Sequence, residues 1–133
     1  MTRREIREEI FKMLFRADFH DKETIEEQET LFFERLQEAG KESKDLCYMK
    51  EKVDSLLEHL EEIDHMLNDV AKGWKTTRMG KVDLTLLRLA VYEIRYEEGM
   101  PTGVAINEAV ELAKKYGTDE SSSFVNGVLA KIT

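Results

Sequence analysis

The sequence predicts an all-α protein of six or seven helices, and two observations support that prediction. Apolar residues recur three or four positions apart in nearly every segment, which is the period of a helix that buries one face. The alternation of β-branched residues typical of strands is absent, and the 133 residues include one proline. A chain of this length is sufficient to bury a hydrophobic core as one domain.

Three helices are predicted in the N-terminal half, over residues 3–18, about 24–39 and about 44–71. The apolar stripe of the first helix consists of Ile6, Ile10, Met13, Leu14 and Ala17. Gly40 and Gly73 follow the second and third helices, and glycine is common directly after the end of a helix.

Three more helices are predicted after the basic linker "KGWKTTRMGK". The helix in "DLTLLRLAVYEIRYEEG" begins near Asp83 and is apolar on most sides, so we expect it to be central rather than peripheral. Pro101 lies beyond its end, and the next helix has Thr102 as its predicted cap and Gly117 as its predicted terminator. The last helix begins near "TDESSS", because acidic and hydroxyl side chains are favoured at helix N-termini.

The formal net charge of −8, taken as a whole, argues against nucleic acid as a partner. The basic residues are nevertheless concentrated in two segments. Residues 1–16 contain five basic and three acidic side chains, and residues 72–81 contain four basic side chains and no acidic one. This uneven distribution keeps RNA among the candidate partners.

The single cysteine, Cys47, excludes an internal disulfide and fits a reducing compartment. No apolar run has the length of a membrane span, and the N-terminus lacks the apolar block of a signal peptide. We therefore predict a cytoplasmic protein without a membrane partner.

No enzyme or cofactor site is predicted. In "GWKTTRMGKV" six residues separate the two glycines where a phosphate-binding loop has four, and Val82 replaces the required Ser or Thr. The histidines are His20, His59 and His65. Glu62 and His65 form one Glu-x-x-His motif, whereas a di-iron bundle needs two. We interpret these residues as solvated positions on helix faces, and we predict no catalytic residue and no metal.

The first helix carries a second stripe, which consists of Arg4, Arg7, Phe11 and Phe15. Arginine contacts phosphates and stacks on planar groups, and aromatic rings stack on unpaired bases. The stripe is therefore suited to single-stranded RNA or to a protein partner. The alternative is that both phenylalanines belong to the core and the arginines only solubilise the helix. Helical spacing does not decide between these interpretations.

The C-terminal half resembles a known family. Three motifs occur in fixed order, "VDLTLLRLAVYEI", "PTGVAINEAVELAKKYG" and "FVNGVLAKI", with "GW" and a basic linker ahead of them. Together they are similar to the NusB family of bacterial transcription antitermination factors. The resemblance is strong over residues 73–132, and residues 18–70 match mainly in length and helical character. It also includes the N-terminal pattern of Arg3, Arg4, Arg7, Leu14 and Phe15.

The resemblance implies an all-helical bundle of two small subdomains, at about 1–72 and about 73–133. It implies binding to boxA, a short single-stranded RNA element of nascent ribosomal or phage transcripts. It also implies a heterodimer with NusE, the small-subunit ribosomal protein that doubles as a transcription factor. The pair is loaded onto RNA polymerase, which then resists termination. Neither catalysis nor a cofactor is implied.

Two alternatives remain open. The first is that the chain is a helical interaction module, since the same fold precedes the catalytic domain in a family of ribosomal RNA cytosine methyltransferases. The 133 residues leave no room for that catalytic domain. Some relatives self-associate, and a homodimer of this kind would hide the RNA surface.

The resemblance implies roles for seven residues at positions that match the family pattern. Contact with RNA is implied for Arg3, Arg4, Arg7, Glu120 and Phe124. Contact with the protein partner is implied for Phe15 and Asp83. The loop "DESSS" at residues 119–123 lacks the basic residues that many relatives have there, so we expect RNA affinity to be weaker or more dependent on the partner.

The last helix contains Asn126-Gly127, although Asn-Gly is common in tight turns and a glycine within a helix costs about 1 kcal/mol. We interpret Gly127 as a position where a neighbouring helix approaches closely. Asn126 would then hydrogen-bond inward, with Asn107 on the preceding helix as a candidate partner, because buried polar groups need partners. A direct RNA role for this pair is the alternative.

Overall fold

The computed structural model describes residues 1–18 and 22–132, so His20 lies outside the described residues. Within these ranges the secondary structure consists of seven α-helices and one 3-10 turn, without a strand. The predicted all-α class of six or seven helices is confirmed. None of the described helices combines the length and the apolar composition that crossing a bilayer requires.

The helices follow the predicted order, with one division that the sequence did not indicate. They are α1 (Arg3–Ala17), α2 (Lys22–Glu38), α3 (Ser43–Glu58), α4 (Leu60–Val70), α5 (Lys81–Arg95), α6 (Thr102–Tyr116) and α7 (Ser121–Ile132), with the 3-10 turn at Thr76–Arg78. The predicted third helix is in fact two, because His59 has non-helical backbone angles (φ −101°, ψ 9°) between α3 and α4. The carbonyl of His59 accepts the amide of Ile63 at 2.9 Å and so starts the new helix.

The chain packs as two compact units, Met1–Leu57 and Glu58–Thr133. The resemblance implied a division at about residue 72, in the basic linker. The boundary lies earlier because α4 contacts α5 and α7 and therefore belongs to the second unit.

In the first unit, the start of α1 is held by its own side chains and by α3. The amide of Glu5 donates to Thr2 Oγ1 at 3.1 Å, and the amide of Thr2 donates to Glu5 Oε1 at 3.5 Å, which together form a capping box. The ammonium group of Met1 lies 3.1 Å from Asp45 Oδ2. The first turn of α1 is therefore ordered at both its backbone and its terminus.

In the second unit, α5 is the central helix, as predicted, and contacts α4, α6 and α7. Its buried residues are Leu84, Thr85, Leu86, Leu87, Leu89, Ala90, Val91, Tyr92 and Glu93. Arg88 interrupts this run and binds Asp64 of α4 with two hydrogen bonds, Nε to Oδ1 at 2.9 Å and Nη2 to Oδ2 at 2.7 Å. Arg95 Nη2 donates to the carbonyl of Ile132 at 2.7 Å, so α5 also holds the end of α7.

The predicted ends of α6 are half right. Pro101, not Thr102, is the N-cap, and no side chain caps the helix there. Thr102 is the first helical residue, because the carbonyl of Pro101 already accepts the amides of Val104 and Ala105, each at 3.1 Å. Gly117 ends α6 as predicted, and its amide donates to the carbonyl of Ala113 at 2.9 Å.

The packing interpretation of Asn126, Gly127 and Asn107 is wrong. All three residues are exposed, and a Cβ atom added at Gly127 would meet no neighbouring atom within 4 Å. The core side of α7 consists of Val125, Val128, Leu129 and Ile132. Helical rotation places residues 126 and 127 away from this stripe, so no other helix approaches them.

We predict that Gly127→Ala stabilises the protein by about 0.5–1 kcal/mol, because alanine has the higher helix propensity and nothing obstructs its methyl group. Urea unfolding of the variant against the parent chain measures the change. Gly117→Ala is the matched control, since its Cβ would collide with the side chain of Ser121 and lie 2.8 Å from the carbonyl of Ala113. A destabilised Gly127→Ala would show that residue 127 is packed after all.

A buried carboxylate links α2 to α3 in the first unit. Glu29 is 6% exposed, and Lys50 Nζ lies 3.5 Å from its Oε1 and 3.3 Å from Asp54 Oδ2. Among the described residues nothing donates a hydrogen bond to Glu29 Oε1. Burial, followed by the hydrogen bond and charge of Asp54, raises the pKa of Glu29 to about 7, although Lys50 opposes the shift.

A carboxyl group whose pKa is higher in the folded than in the unfolded chain stabilises the fold at low pH. We therefore predict that this contribution, roughly 1–3 kcal/mol, is present below about pH 4.5 and is lost as the pH rises through about 7. Glu29→Gln should remove this pH dependence and melt higher than the parent chain at pH 8. Thermal unfolding at pH 5 and pH 8 tests it, with the exposed Glu27→Gln on the same helix as control. An unchanged pH profile in Glu29→Gln would contradict the assignment.

Candidate functional site

The first turn of α1 presents two cations to solvent. Arg3 and Arg4 are both exposed, and the capping box of Thr2 and Glu5 fixes the turn that carries them. The N-terminal end of a helix carries partial positive charge, so cations there cost stability. Helix stability therefore does not explain these arginines, and their exposure is compatible with the RNA contact that the resemblance implies.

The next residues of the predicted stripe point elsewhere. Arg7 is buried, with 6% exposed, and Phe11 is buried with 3% exposed. The core interpretation is confirmed for Phe11. A buried guanidinium does not meet a phosphate at the surface, so the RNA contact implied for Arg7 is at odds with the structure. We assign Arg7 to the packing of α1.

Phe15 is the one half-exposed aromatic residue of α1. Its ring centroid lies 6.1 Å from that of the buried Phe11, with the planes 44° apart. One side of the ring is thus fixed by the core while part of it remains accessible. This placement suits the partner contact implied for Phe15.

Asp83 occupies the first turn of α5 and is half-buried. The N-cap of α5 is Gly80, which offers no side chain to the free amides. The carboxylate of Asp83 therefore compensates the positive end of the helix, and its half-buried position is compatible with the partner contact that the resemblance implies.

Phe124 and Glu120 lie at the start of α7. Phe124 is half-exposed, and its amide donates to the carbonyl of the exposed Glu120 at 3.1 Å. The approach to the helix is held by Ser121, whose Oγ accepts the amide of Thr118 at 2.9 Å. The preceding acids, Asp119 and Glu120, are both exposed, so this loop presents negative charge.

Trp74 is a candidate functional residue to which the sequence pattern assigned no role. It is 56% exposed, and its ring centroid lies 5.9 Å from that of Phe124, with the planes 70° apart. The available signal was a large aromatic residue inside a basic linker. Its proximity to a residue fifty positions later could not be read from spacing.

The second unit therefore brings together two aromatic rings, from Trp74 and Phe124, that the sequence kept apart. Arg3, Arg4 and Phe15 belong to the first unit, and Asp83 and Glu120 belong to the second. Each unit thus carries residues implied for RNA and a residue implied for the partner.

Comparison with known proteins identifies the family. The model of the NusB family matches residues 4–133. The chain belongs to the NusB family. The transcription antitermination protein NusB of Agathobacter rectalis is 55% identical to it over 131 residues, which cover 98% of each chain.

Two solved NusB structures share the fold. The structure of NusB from T. maritima is 35% identical with a TM-score of 0.86, and the match covers 99% of this chain and 90% of that one. A crystal structure of the antitermination factors NusB and NusE in complex with double-stranded RNA contains a chain that is 31% identical, with a TM-score of 0.80. That match covers 98% of this chain and 94% of the other.

The residues considered for a metal site in this NusB-family chain have other partners. Glu62 accepts a hydrogen bond from the hydroxyl of Tyr96 at 2.7 Å, which raises the pKa of Tyr96. His65 lies on an exposed face with Nε2 3.5 Å from Asp69 Oδ2. Across residues 1–18 and 22–132, no three side chains of His, Cys, Asp or Glu are grouped as metal ligands.

The exposed Arg3 and Arg4 and the buried Arg7 should differ in the effects of their substitution. We predict that the double variant Arg3→Ala and Arg4→Ala lowers RNA affinity and reduces the slope of log Kd against log salt by about 0.7 for each phosphate that is no longer neutralised. Its melting temperature should stay the same or rise, because cations leave the N-terminal end of α1.

The control is Arg16→Ala, which removes an exposed cation from the other end of the helix. Arg7→Ala should instead lower the melting temperature, because it removes a buried side chain. Anisotropy titrations at several salt concentrations, with thermal melts, measure these effects. An unchanged salt slope in the double variant would mean that Arg3 and Arg4 only solubilise the helix.

Proposed function

We propose that this chain is a transcription antitermination factor that binds boxA-type single-stranded RNA in nascent ribosomal transcripts together with the ribosomal protein NusE, and acts on RNA polymerase. The observation that carries the proposal is similarity along the whole chain to NusB antitermination proteins. The match to a NusB chain that is bound to NusE and RNA supports both partners.

The protein acts by binding, without catalysis, and it works in the cytoplasm because bacterial transcription takes place there. Exposed Arg3 and Arg4 supply phosphate contacts. The half-exposed Phe15 and Asp83 supply an apolar and a charged contact for NusE. Aromatic and charged anchors of this kind give a protein interface both affinity and orientation.

The proposal specifies single-stranded RNA, although the related complex contains a duplex. The half-exposed ring of Phe124 favours unpaired RNA, because a base can stack on a protein ring only when it is splayed out of its own helix. Nearby, Asp119 and Glu120 repel phosphates and weaken binding by the free chain. NusE is therefore expected to contribute a large share of the affinity.

Fluorescence anisotropy tests this function directly. A labelled boxA-like RNA, a scrambled RNA of the same composition and the boxA duplex are each titrated with the chain, with and without NusE. The single-stranded boxA RNA should bind most tightly, and NusE should increase its advantage. Equal, weak binding of all three RNAs that NusE does not alter would leave only the helical interaction module.

The partner contact is tested in the same assay with Asp83→Lys and Asp83→Asn. We predict that the lysine variant weakens NusE binding by about tenfold or more, since a like charge replaces a complementary one, and that the asparagine variant has an intermediate effect. RNA binding by the free chain should change less than about twofold. Equal losses for RNA and NusE would indicate that the second unit has unfolded, and thermal melts of both variants report on this.

A further inference from the structure

The side chain of Trp74 is more exposed than the other large hydrophobic side chains of the described residues. Its ring meets Phe124 edge to face, with centroids 5.9 Å apart and planes at 70°, and we call these two rings the aromatic corner. The contact covers only part of the indole, which remains 56% exposed.

The backbone beneath Trp74 is fixed. Gly73 has a φ of +85°, a left-handed turn that other residues rarely adopt. The amide of Trp74 then donates to the carbonyl of Ala71 at 2.9 Å, and the amide of Thr76 donates to Asn68 Oδ1 on α4 at 2.8 Å. Because the linker is tied to α4, its backbone does not have to be ordered when a ligand arrives, and the ring already rests against Phe124.

The linker that carries Trp74 is positively charged. Lys72, Lys75 and Arg78 are exposed, and residues 72–81 contain no acidic side chain. Among the described residues, none of these three side chains takes part in an ion pair. An exposed indole between unneutralised cations matches a ligand that has flat rings joined by negative charges.

We propose that the aromatic corner receives one unpaired nucleobase of the bound RNA, while Lys72, Lys75 and Arg78 contact the adjoining phosphates. This inference rests on the proposed function and assigns Trp74 a direct RNA contact. The base stacks on one ring of the corner and meets the border of the other. A paired base is already stacked on both faces within its duplex, so the corner selects single-stranded RNA. Every base has a flat face, so the corner adds affinity without adding sequence preference.

Trp74 is the only tryptophan of the chain, so its emission reports on the corner alone. Titration of the free chain with single-stranded boxA-like RNA should quench this emission along a saturable curve, and the duplex should quench it less. Anisotropy of the labelled RNA with chain and NusE then gives affinities for the variants. We predict that Trp74→Ala raises the Kd by about 5- to 100-fold, and by a similar factor for the scrambled RNA.

Two further variants separate stacking from folding. Trp74→Phe keeps a ring that can stack and should stay within about threefold of the parent chain. Val104→Ala removes a similarly exposed apolar side chain from α6 of the same unit, and it should leave the Kd unchanged.

Four results would overturn the inference, and they are distinguishable. If Trp74→Ala binds RNA like the parent chain, the corner has no role and the proposed function stands. If Trp74→Ala loses NusE instead of RNA, the corner is a protein contact. If Val104→Ala loses as much affinity as Trp74→Ala, the effect is not specific to the corner. If the parent chain binds no RNA with NusE present, the proposed function fails as well.

Discussion

The burial of α5 on nearly every side is the constraint on which the second unit depends. A helix with so little solvent-exposed surface must be surrounded, and α4, α6 and α7 each pack against it. Of the two charged side chains between Leu84 and Glu93, Arg88 forms two hydrogen bonds to Asp64, and removing either partner would leave a charge poorly solvated. Because α5 fixes its neighbours, it also fixes the helix start that carries Asp83 and the first turn of α7 that carries Phe124.

Three of the residues that we assign to binding, Arg3, Arg4 and Trp74, occupy positions that reduce local stability. Arg3 and Arg4 stand at the end of α1 where the helix dipole disfavours cations, and Trp74 exposes more than half of a side chain that folding normally buries. Such conflicts between local preference and structure are expected at functional sites. Gly127 is a different case, because its cost to α7 has no compensation in the packing around it.

Helical periodicity was sufficient to predict the fold class and most helices, because burial of one face leaves a regular record in the sequence. It did not predict the division at His59, where neither glycine nor proline interrupts the apolar pattern. Periodicity also places Arg7 and Gly127 beside apolar stripes, but it does not indicate which flank of a stripe other helices bury. Arg7 is in fact buried and Gly127 exposed. The aromatic corner joins residues fifty positions apart, and only the packing of the second unit brings them together. The resemblance identified Phe124 as a candidate RNA contact, whereas Trp74 was identified only from the structure.

The charge distribution favours a division between two kinds of RNA contact. In the proposed function Arg3 and Arg4 act through phosphates, and such contacts weaken as salt rises because counterion release then yields less free energy. Stacking at the aromatic corner is far less sensitive to salt. The corner lies beside the loop with Asp119 and Glu120, whose negative charges would weaken a site that depended on electrostatic attraction alone. The net charge of −8 opposes non-specific binding of this protein to nucleic acid. The protein retains affinity for RNA that offers an unpaired base and arrives with the correct partner, which is the selectivity that loading onto a nascent transcript requires.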